Sequence, residues 1–286
     1  MKLVRFDDGR IGVVRGEEAV DVSDLVGAEG EAWPPVAMTR LIARFAEFRP
    51  LLEAALDRPG RRLAELKLLT PIAWPNKVIA YPVNYHEHGV EMGASYRANH
   101  QGFFLKPSSS LSGAGEPIVV PRLDRRIDHE CELALIISKA GRDIPRERWR
   151  EHVFGYSCLV DVVVRGPEER VARKGFDTFC PVGPWIVTAD EVGDPSALRG
   201  RLWVNGELRQ DANTRDLILD LPGMIEVASA VMTLQPGDII ATGTPAGVGP
   251  IRPGDRVRIE FERVGAMTLD VVAGAPWQAP IFNGPA

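Results

Sequence analysis

His129-Glu130-Cys131-Glu132-Leu133-Ala134-Leu135-Ile136-Ile137 is the stretch of this chain richest in reactive groups. Side chains alternate along a strand, so Glu130 and Glu132 leave the same face about 7 Å apart. The run Leu133 to Ile137 is apolar on both faces and predicts a buried strand. Carboxylates entering a buried region must be neutralised, hydrogen-bonded or metal-bound, because isolated buried charge is costly. Asp161 supplies a third acid, the one charged group of the apolar stretch Ser157 to Val164. Three hard oxygen donors without a nearby His or Cys set suit Mg²⁺ or Mn²⁺, and Ca²⁺ after them, better than Zn²⁺. The competing reading is a solvated strand face with an ordinary Glu-x-Glu pair, Asp161 then ending a strand.

A second candidate is Asn84-Tyr85-His86-Glu87-His88-Gly89-Val90-Glu91-Met92. A zinc-peptidase motif would need a second His four residues after His86, and position 90 is Val. If the segment enters a helix, His88 and Glu91 share a face. A carboxylate beside an imidazole orients the ring and raises its basicity, making a base for activating water. The alternative is a surface ion pair or a hydrogen-bonded structural histidine.

These groups need elements to hold them. From Lys77 onward short β-branched segments recur between Gly and Pro: Val78–Ala80, Pro117–Val120, Cys131–Ile137 and Ser157–Val164. Asn205-Gly206 predicts a type I′ hairpin turn, and Pro236-Gly237-Asp238 and Pro253-Gly254-Asp255 each launch an alternating strand. Helices are few: Pro145 opens one through Val153, and Pro222 another through about Thr233, with Ile225, Ala228 and Met232 inward. Earlier, Asp8-Gly9 separates two hairpin strands. Leu41, Phe45 and Phe48 share a helical face that Leu52, Ala55 and Leu56 continue after a kink or break at Pro50. The chain becomes strand-rich after Leu69-Thr70-Pro71. Residues 1–70 are therefore expected to form a small N-terminal α+β accessory domain without chemistry of its own, and 71–286 the main domain. The expected class is α+β, mainly β. No repeat or low-complexity tract interrupts it.

Composition narrows the function. The 286 residues are 45% hydrophobic and 26% charged, which argues against general disorder. The net charge of −5 argues against a non-specific nucleic-acid binder, which needs a basic face. No apolar run reaches the roughly 20 residues of a membrane span, and the start lacks the apolar core of a secretory signal. Cys131, Cys158 and Cys180 show no paired metal spacing and are expected to be buried in a cytoplasmic protein. Phe103 and Phe104 are read as core rather than pocket lining.

With these residues in hand, the chain resembles the fumarylacetoacetate hydrolase family over roughly Lys77 to Val272. The resemblance rests on ordered motifs: Asn84-Tyr85…His88…Glu91, Phe104-Leu105-Lys106-Pro107-Ser108, Glu130-Cys131-Glu132-Leu133 and Gly155-Tyr156…Asp161…Arg165. Lys174-Gly175-Phe176-Asp177, Pro181-Val182-Gly183-Pro184, Val204-Asn205-Gly206-Glu207 and Gly243-Thr244-Pro245 follow. It implies a mixed β-roll catalytic domain with Glu130, Glu132 and Asp161 binding Mg²⁺ or Mn²⁺. It implies a water-activating His88–Glu91 dyad, with Lys174 on substrate oxygen and Thr244 on the substrate carboxylate. Arg165, Asp177 and Tyr85 are its remaining substrate-binding candidates, and a homodimer its expected assembly.

The implied activity is metal-dependent hydrolysis of a C–C bond in an acylpyruvate-type 2,4-dioxo acid, through a metal-stabilised enolate, in aromatic or sugar-acid catabolism. Oxaloacetate decarboxylation and 2-oxo-acid keto–enol isomerisation are the alternatives on the same site. A non-catalytic 2-oxo-acid binding protein is a third, from another class. Relatives commonly read Ser/Thr-Ala-Arg-Asp-x-Gln where this chain has Val163-Val164-Arg165-Gly166-Pro167-Glu168. Gly175 replaces a usual Ser, and Pro82 stands where a Gly often precedes Asn-Tyr. The ligands and dyad survive these departures, while the polar groups around the substrate change.

Overall fold

The computed structural model describes residues 1–275 and 282; the last stretch of the expected 71–286 domain lies otherwise outside them. Its largest sheet has a central run of four strands: Cys180–Thr188, Val153–Val160, Cys131–Ile137 and Ile239–Ala241. Val78–Ala80 and Phe104–Lys106 extend it on one side. Lys2–Phe6, Arg10–Arg15 and Glu18–Asp21 extend it on the other, with Lys2–Phe6 antiparallel to Cys180–Thr188. A second sheet carries Glu207–Asn213, Arg199–Val204, Arg256–Phe261, Gly265–Ala273 and Ile118–Val120 in that order. Strand content thus dominates, as expected for a mainly β, α+β protein.

Every residue of Cys131–Ile137 is buried. Leu133, Leu135 and Ile137 enter one apolar layer, whereas Ala134 and Ile136 enter another. That second layer also contains Leu3, Ile11, Leu41, Ile42 and Leu52 from the first seventy residues. By strand alternation, Glu132 projects on the face carrying Ala134 and Ile136.

The Asp8-Gly9 and Asn205-Gly206 hairpins form, Asn205 at φ 53° and Gly206 at φ 84°. The helix break falls at Arg44, between Ala37–Ala43 and Phe45–Ala55, and Pro50 lies inside the second helix rather than at a break. Proline removes one backbone donor, the one that would reach the Ala46 carbonyl, and the helix nevertheless continues to Ala55. Pro145 precedes a 3₁₀ helix, Arg146–His152. Asp220 caps Leu221–Val231 by accepting from Gly223 N at 3.1 Å; Ile225 and Ala228 are buried, and Met232 is half-buried. Ile239–Ala241 is buried throughout rather than alternating, because both of its faces are covered: Ile240 enters one apolar layer, Ile239 and Ala241 the other. Among the described residues no helix is long and apolar enough to cross a membrane. The three cysteines are buried and unbridged, and burial pushes the Cys158 and Cys180 thiols up to about 12.

Candidate active site

Antiparallel register assembles the acids. Cys131 pairs with Val160 and Glu132 with Leu159, which sets Glu130 opposite Asp161; Asp161 N donates to Glu130 O at 2.9 Å. Cross-strand partners share a face. Glu130, Glu132 and Asp161 are accordingly buried together, each offering an oxygen within 4.8 Å of the others. Asp161 lies in the break between Val153–Val160 and Val163–Val164 rather than within one continuous strand. Three converging hard oxygens, shielded from water, can hold a divalent ion of the Mg²⁺ or Mn²⁺ type.

Buried cations balance these acids. Lys174 Nζ lies 2.6 Å from Glu130 Oε2 and 2.5 Å from Asp161 Oδ2. Lys106, of the Phe104-Leu105-Lys106 motif, gives its three donors to Asp161 Oδ1 at 2.5 Å, Lys174 O at 2.7 Å and Phe179 O at 3.2 Å, a role no local pattern reveals. Burial raises the Glu130 pKa, but Lys174 and Arg165 outweigh it and hold the group well below the carboxylate range. Glu132 is pushed well above that range by burial and by the charges of Asp161 and Glu130. Burial lowers the Lys174 pKa, yet the charges of Asp161 and Glu130 outweigh it and raise it above the ordinary lysine value.

Tyr85 begins the short helix His86–Glu91, which places His88 and Glu91 on one side. His88 Nδ1 lies 3.1 Å from Glu91 Oε2, and Glu91 Oε1 accepts from Gly247 N at 3.0 Å. A carboxylate on Nδ1 selects the tautomer protonated there and leaves Nε2 as the acceptor. His88, the three acids, Arg165, Lys174 and Thr244 all line one cavity of about 480 Å³.

Gly243 adopts φ +89°, and its N–H donates to Glu132 Oε2 at 2.8 Å; a Cβ there would stand 2.7 Å from Asn84 Cβ. The following Thr244 is oriented by Gln210, a residue the sequence did not single out. Gln210 Oε1 accepts from Cys131 N at 2.9 Å and faces His129 Nδ1 at 3.1 Å. Its Nε2 donates to Pro245 O at 2.9 Å and Thr244 Oγ1 at 2.8 Å. The backbone partners fix which end of the amide is which. Having accepted from Gln210, the Thr244 hydroxyl keeps its own proton for an acceptor in the cavity.

Arg165 is held from two sides. Its Nε donates to buried Asp128 at 2.7 Å, and its Nη2 lies 3.0 Å from Glu130 Oε1 as an ion pair. Arg125 Nε donates to the Arg165 carbonyl at 3.1 Å, while Arg125 Nη2 meets Glu168 Oε2 at 2.9 Å. A Cβ on Gly166 would lie 1.9 Å from Arg125 Nη2, so the bare glycine and Glu168 are coupled: one makes room for the other's partner. At Gly175 a Cβ would stand 2.5 Å from Val171 O, too close for serine.

Two candidates fall elsewhere. Asp177 is exposed and does not line this cavity. Tyr85 is buried and borders a separate cavity with Asp216 and Leu217. Phe103 packs in the core against Tyr81, whereas Phe104 both packs against the second apolar layer and lines the cavity. Phe104 is on the last strand of the large sheet and is half-buried.

Residues 77–272 match the family model for the fumarylacetoacetate (FAA) hydrolase C-terminal domain. The chain belongs to the fumarylacetoacetate hydrolase family. It is 44% identical over 284 residues to maleylpyruvate hydrolase of Aquipseudomonas alcaligenes, spanning 95% of this chain and 99% of that one. It is also similar to the crystal structure of maleylpyruvate hydrolase from Sphingobium sp. SYK-6 in complex with manganese(II) and pyruvate. There the TM-score is 0.89 and the identity 57%, over 96% of this chain and 100% of that one. Oxaloacetate tautomerase YisK of Bacillus subtilis is 37% identical over 258 residues, 85% of this chain and 84% of that protein.

Proposed function

We propose that this protein hydrolyses the C3–C4 bond of an acylpyruvate-type 2,4-dioxo acid with a divalent metal, Mg²⁺ or Mn²⁺. The observation that carries this reading is the buried Glu130, Glu132 and Asp161 cluster in one cavity with His88, whose Nδ1 is paired with Glu91. A divalent ion on the three carboxylates supplies Lewis acidity toward the 2-oxo acid oxygens. His88 Nε2 takes a proton from water, whose oxygen bonds to C4 while Glu91 steadies the imidazolium. The C3–C4 bond breaks, and its electron pair spreads from C3 into the C2 carbonyl oxygen. The Lys174 ammonium offers fixed positive charge beside that oxygen. Thr244, oriented by Gln210, donates to the C1 carboxylate, and Arg165 adds positive charge at the same end. The proton then passes to C3, which yields pyruvate and a carboxylic acid.

Likeness to an oxaloacetate tautomerase supports keto–enol isomerisation as the second reading; decarboxylation of oxaloacetate is a further alternative on the same site. Products separate them. Pyruvate release from maleylpyruvate with Mn²⁺ present, abolished by EDTA, is the expected result. An isomer alone, or carbon dioxide and pyruvate from oxaloacetate only, overturns hydrolysis. His88→Asn should lower hydrolysis by roughly 10²- to 10⁴-fold with metal binding intact. The same reading assigns residues 1–70 to an accessory layer and the site to 71–286, in a cytoplasmic homodimer. Light scattering on the purified protein tests the dimer.

A further inference from the structure

We infer that the cavity walled by Arg122, Arg126 and Arg252 is a second ligand site, apart from the active site, that takes a small polyanion, and that Asp128 couples the two. The cavity has a volume of about 530 Å³ and shares no lining residue with the active-site cavity. Four arginines line it, Arg122, Arg125, Arg126 and Arg252, against one acid, Asp124. The chain as a whole carries a net charge of −5, so the cavity is a local reversal of sign, which concentrates anions. Arg125 is engaged by Glu168. Arg126 shares buried Asp128 with Arg165: Asp128 Oδ1 accepts from Arg126 Nε at 2.6 Å, and Oδ2 from Arg165 Nε at 2.7 Å. Arg122 Nε donates to a neutral carbonyl, Gly274 O, at 3.1 Å. Neither Arg122 nor Arg252 has a carboxylate within ion-pair reach among the described residues.

The walls are held in place before any ligand arrives. Asp128 pairs with Pro250, and Ile251 N donates to Ile127 O at 2.9 Å, which ties the turn bearing Arg252 to the strand Ile127–His129. Asp255 closes that turn, its Oδ2 accepting from Arg252 N at 2.7 Å. Pro121, Pro250 and Pro253 fix φ at three points of the lining. Side chains on such walls lose less freedom when a ligand binds. Arg122 and Arg126 spend only Nε on the contacts above, so their terminal nitrogens can meet clustered anionic oxygens in bidentate fashion. Three arginines with one shared counter-ion call for more than one negative charge. An anion there draws Arg126 from Asp128, which then falls to Arg165 alone. The positive charge that Arg165 offers at the substrate carboxylate is thereby reduced. Arg165 N also donates to Arg126 O at 2.8 Å, so the two arginines are joined through the backbone as well.

The test uses the full chain loaded with Mn²⁺, at constant ionic strength, and two probes: sulfate, a tetrahedral oxyanion, and tricarballylate, a tricarboxylate. Calorimetry should show at least one of them binding, and the tighter of the two tells a phosphate-like ligand from a carboxylate. Arg122→Ala and Arg252→Ala should each weaken that probe about tenfold. Pyruvate, titrated in the same way, reports the active site. Saturating probe should raise the pyruvate Kd about fivefold, and Arg252→Ala should remove that effect. Binding of neither probe overturns the site. A probe that pyruvate displaces, and whose affinity Arg122→Ala and Arg252→Ala leave unchanged, sits in the active site and overturns it equally. A pyruvate Kd unmoved by bound probe removes the coupling through Asp128. Neither readout requires turnover, so a failure of the hydrolase reading is scored separately, by pyruvate release from maleylpyruvate.

Discussion

Gln210 uses every hydrogen-bonding capacity of its amide inside the protein, and one of the four partners is Thr244. Gln210→Glu replaces the donor facing Thr244 with an oxygen, so the hydroxyl turns to donate inward and is lost to the substrate carboxylate. KM should rise about tenfold with a smaller effect on kcat. In a Thr244→Val background the same change should add little, as a double-mutant cycle reads coupling directly; additive losses would show that Gln210 acts elsewhere. Glu132 makes a pH-dependent prediction. Its folded pKa is raised, so without metal its contribution to stability is present below the ordinary carboxylate pKa and fades as pH rises through the folded value. A divalent ion favours the ionised form. The Mn²⁺-induced gain in Tm should therefore grow as pH rises above the ordinary carboxylate range, and Glu132→Gln should flatten it. A gain independent of pH in the unaltered protein would count against Glu132 as a ligand.

The segment Val163 to Glu168 shows how an altered motif can still hold a site. Asp128 and the Arg125–Glu168 pair position Arg165, and Gly166 exists in the space that pair occupies. Gly166→Ala must push Arg125 off Glu168, at a cost of about 1–3 kcal/mol. Urea unfolding would measure that cost, and KM for the substrate should rise because Arg165 loses its backbone clamp. Unchanged stability and KM would mean the loop absorbs the methyl elsewhere. The strand and helix around this segment were readable beforehand: alternation placed Glu130 with Glu132, and the i,i+3 spacing placed His88 beside Glu91. The loop was not readable, since nothing local links Arg125 to Glu168, forty-three positions on.

The acids lie in a sheet closed on both faces, and the first seventy residues furnish part of one cover. Leu41 is fully buried in the layer that also receives Ala134 and Ile136. Leu41→Ala should cost about 2–5 kcal/mol in urea unfolding, with metal affinity retained at temperatures where the variant is folded. A loss of metal affinity instead would tie the cover directly to the carboxylates. From the sequence alone came the buried Cys131–Ile137 strand, the three acids, the His88–Glu91 pair, the Asn-Gly hairpin and the family resemblance. Each follows from short-range periodicity, turn chemistry or ordered motifs. The tertiary structure alone decided that Asp161 stands opposite Glu130, that Lys106 satisfies Asp161, that Gln210 orients Thr244, and that Asp177 and Tyr85 lie outside the cavity. Those outcomes depend on strand register and on side chains brought together from distant positions, and neither leaves a periodic mark along the chain.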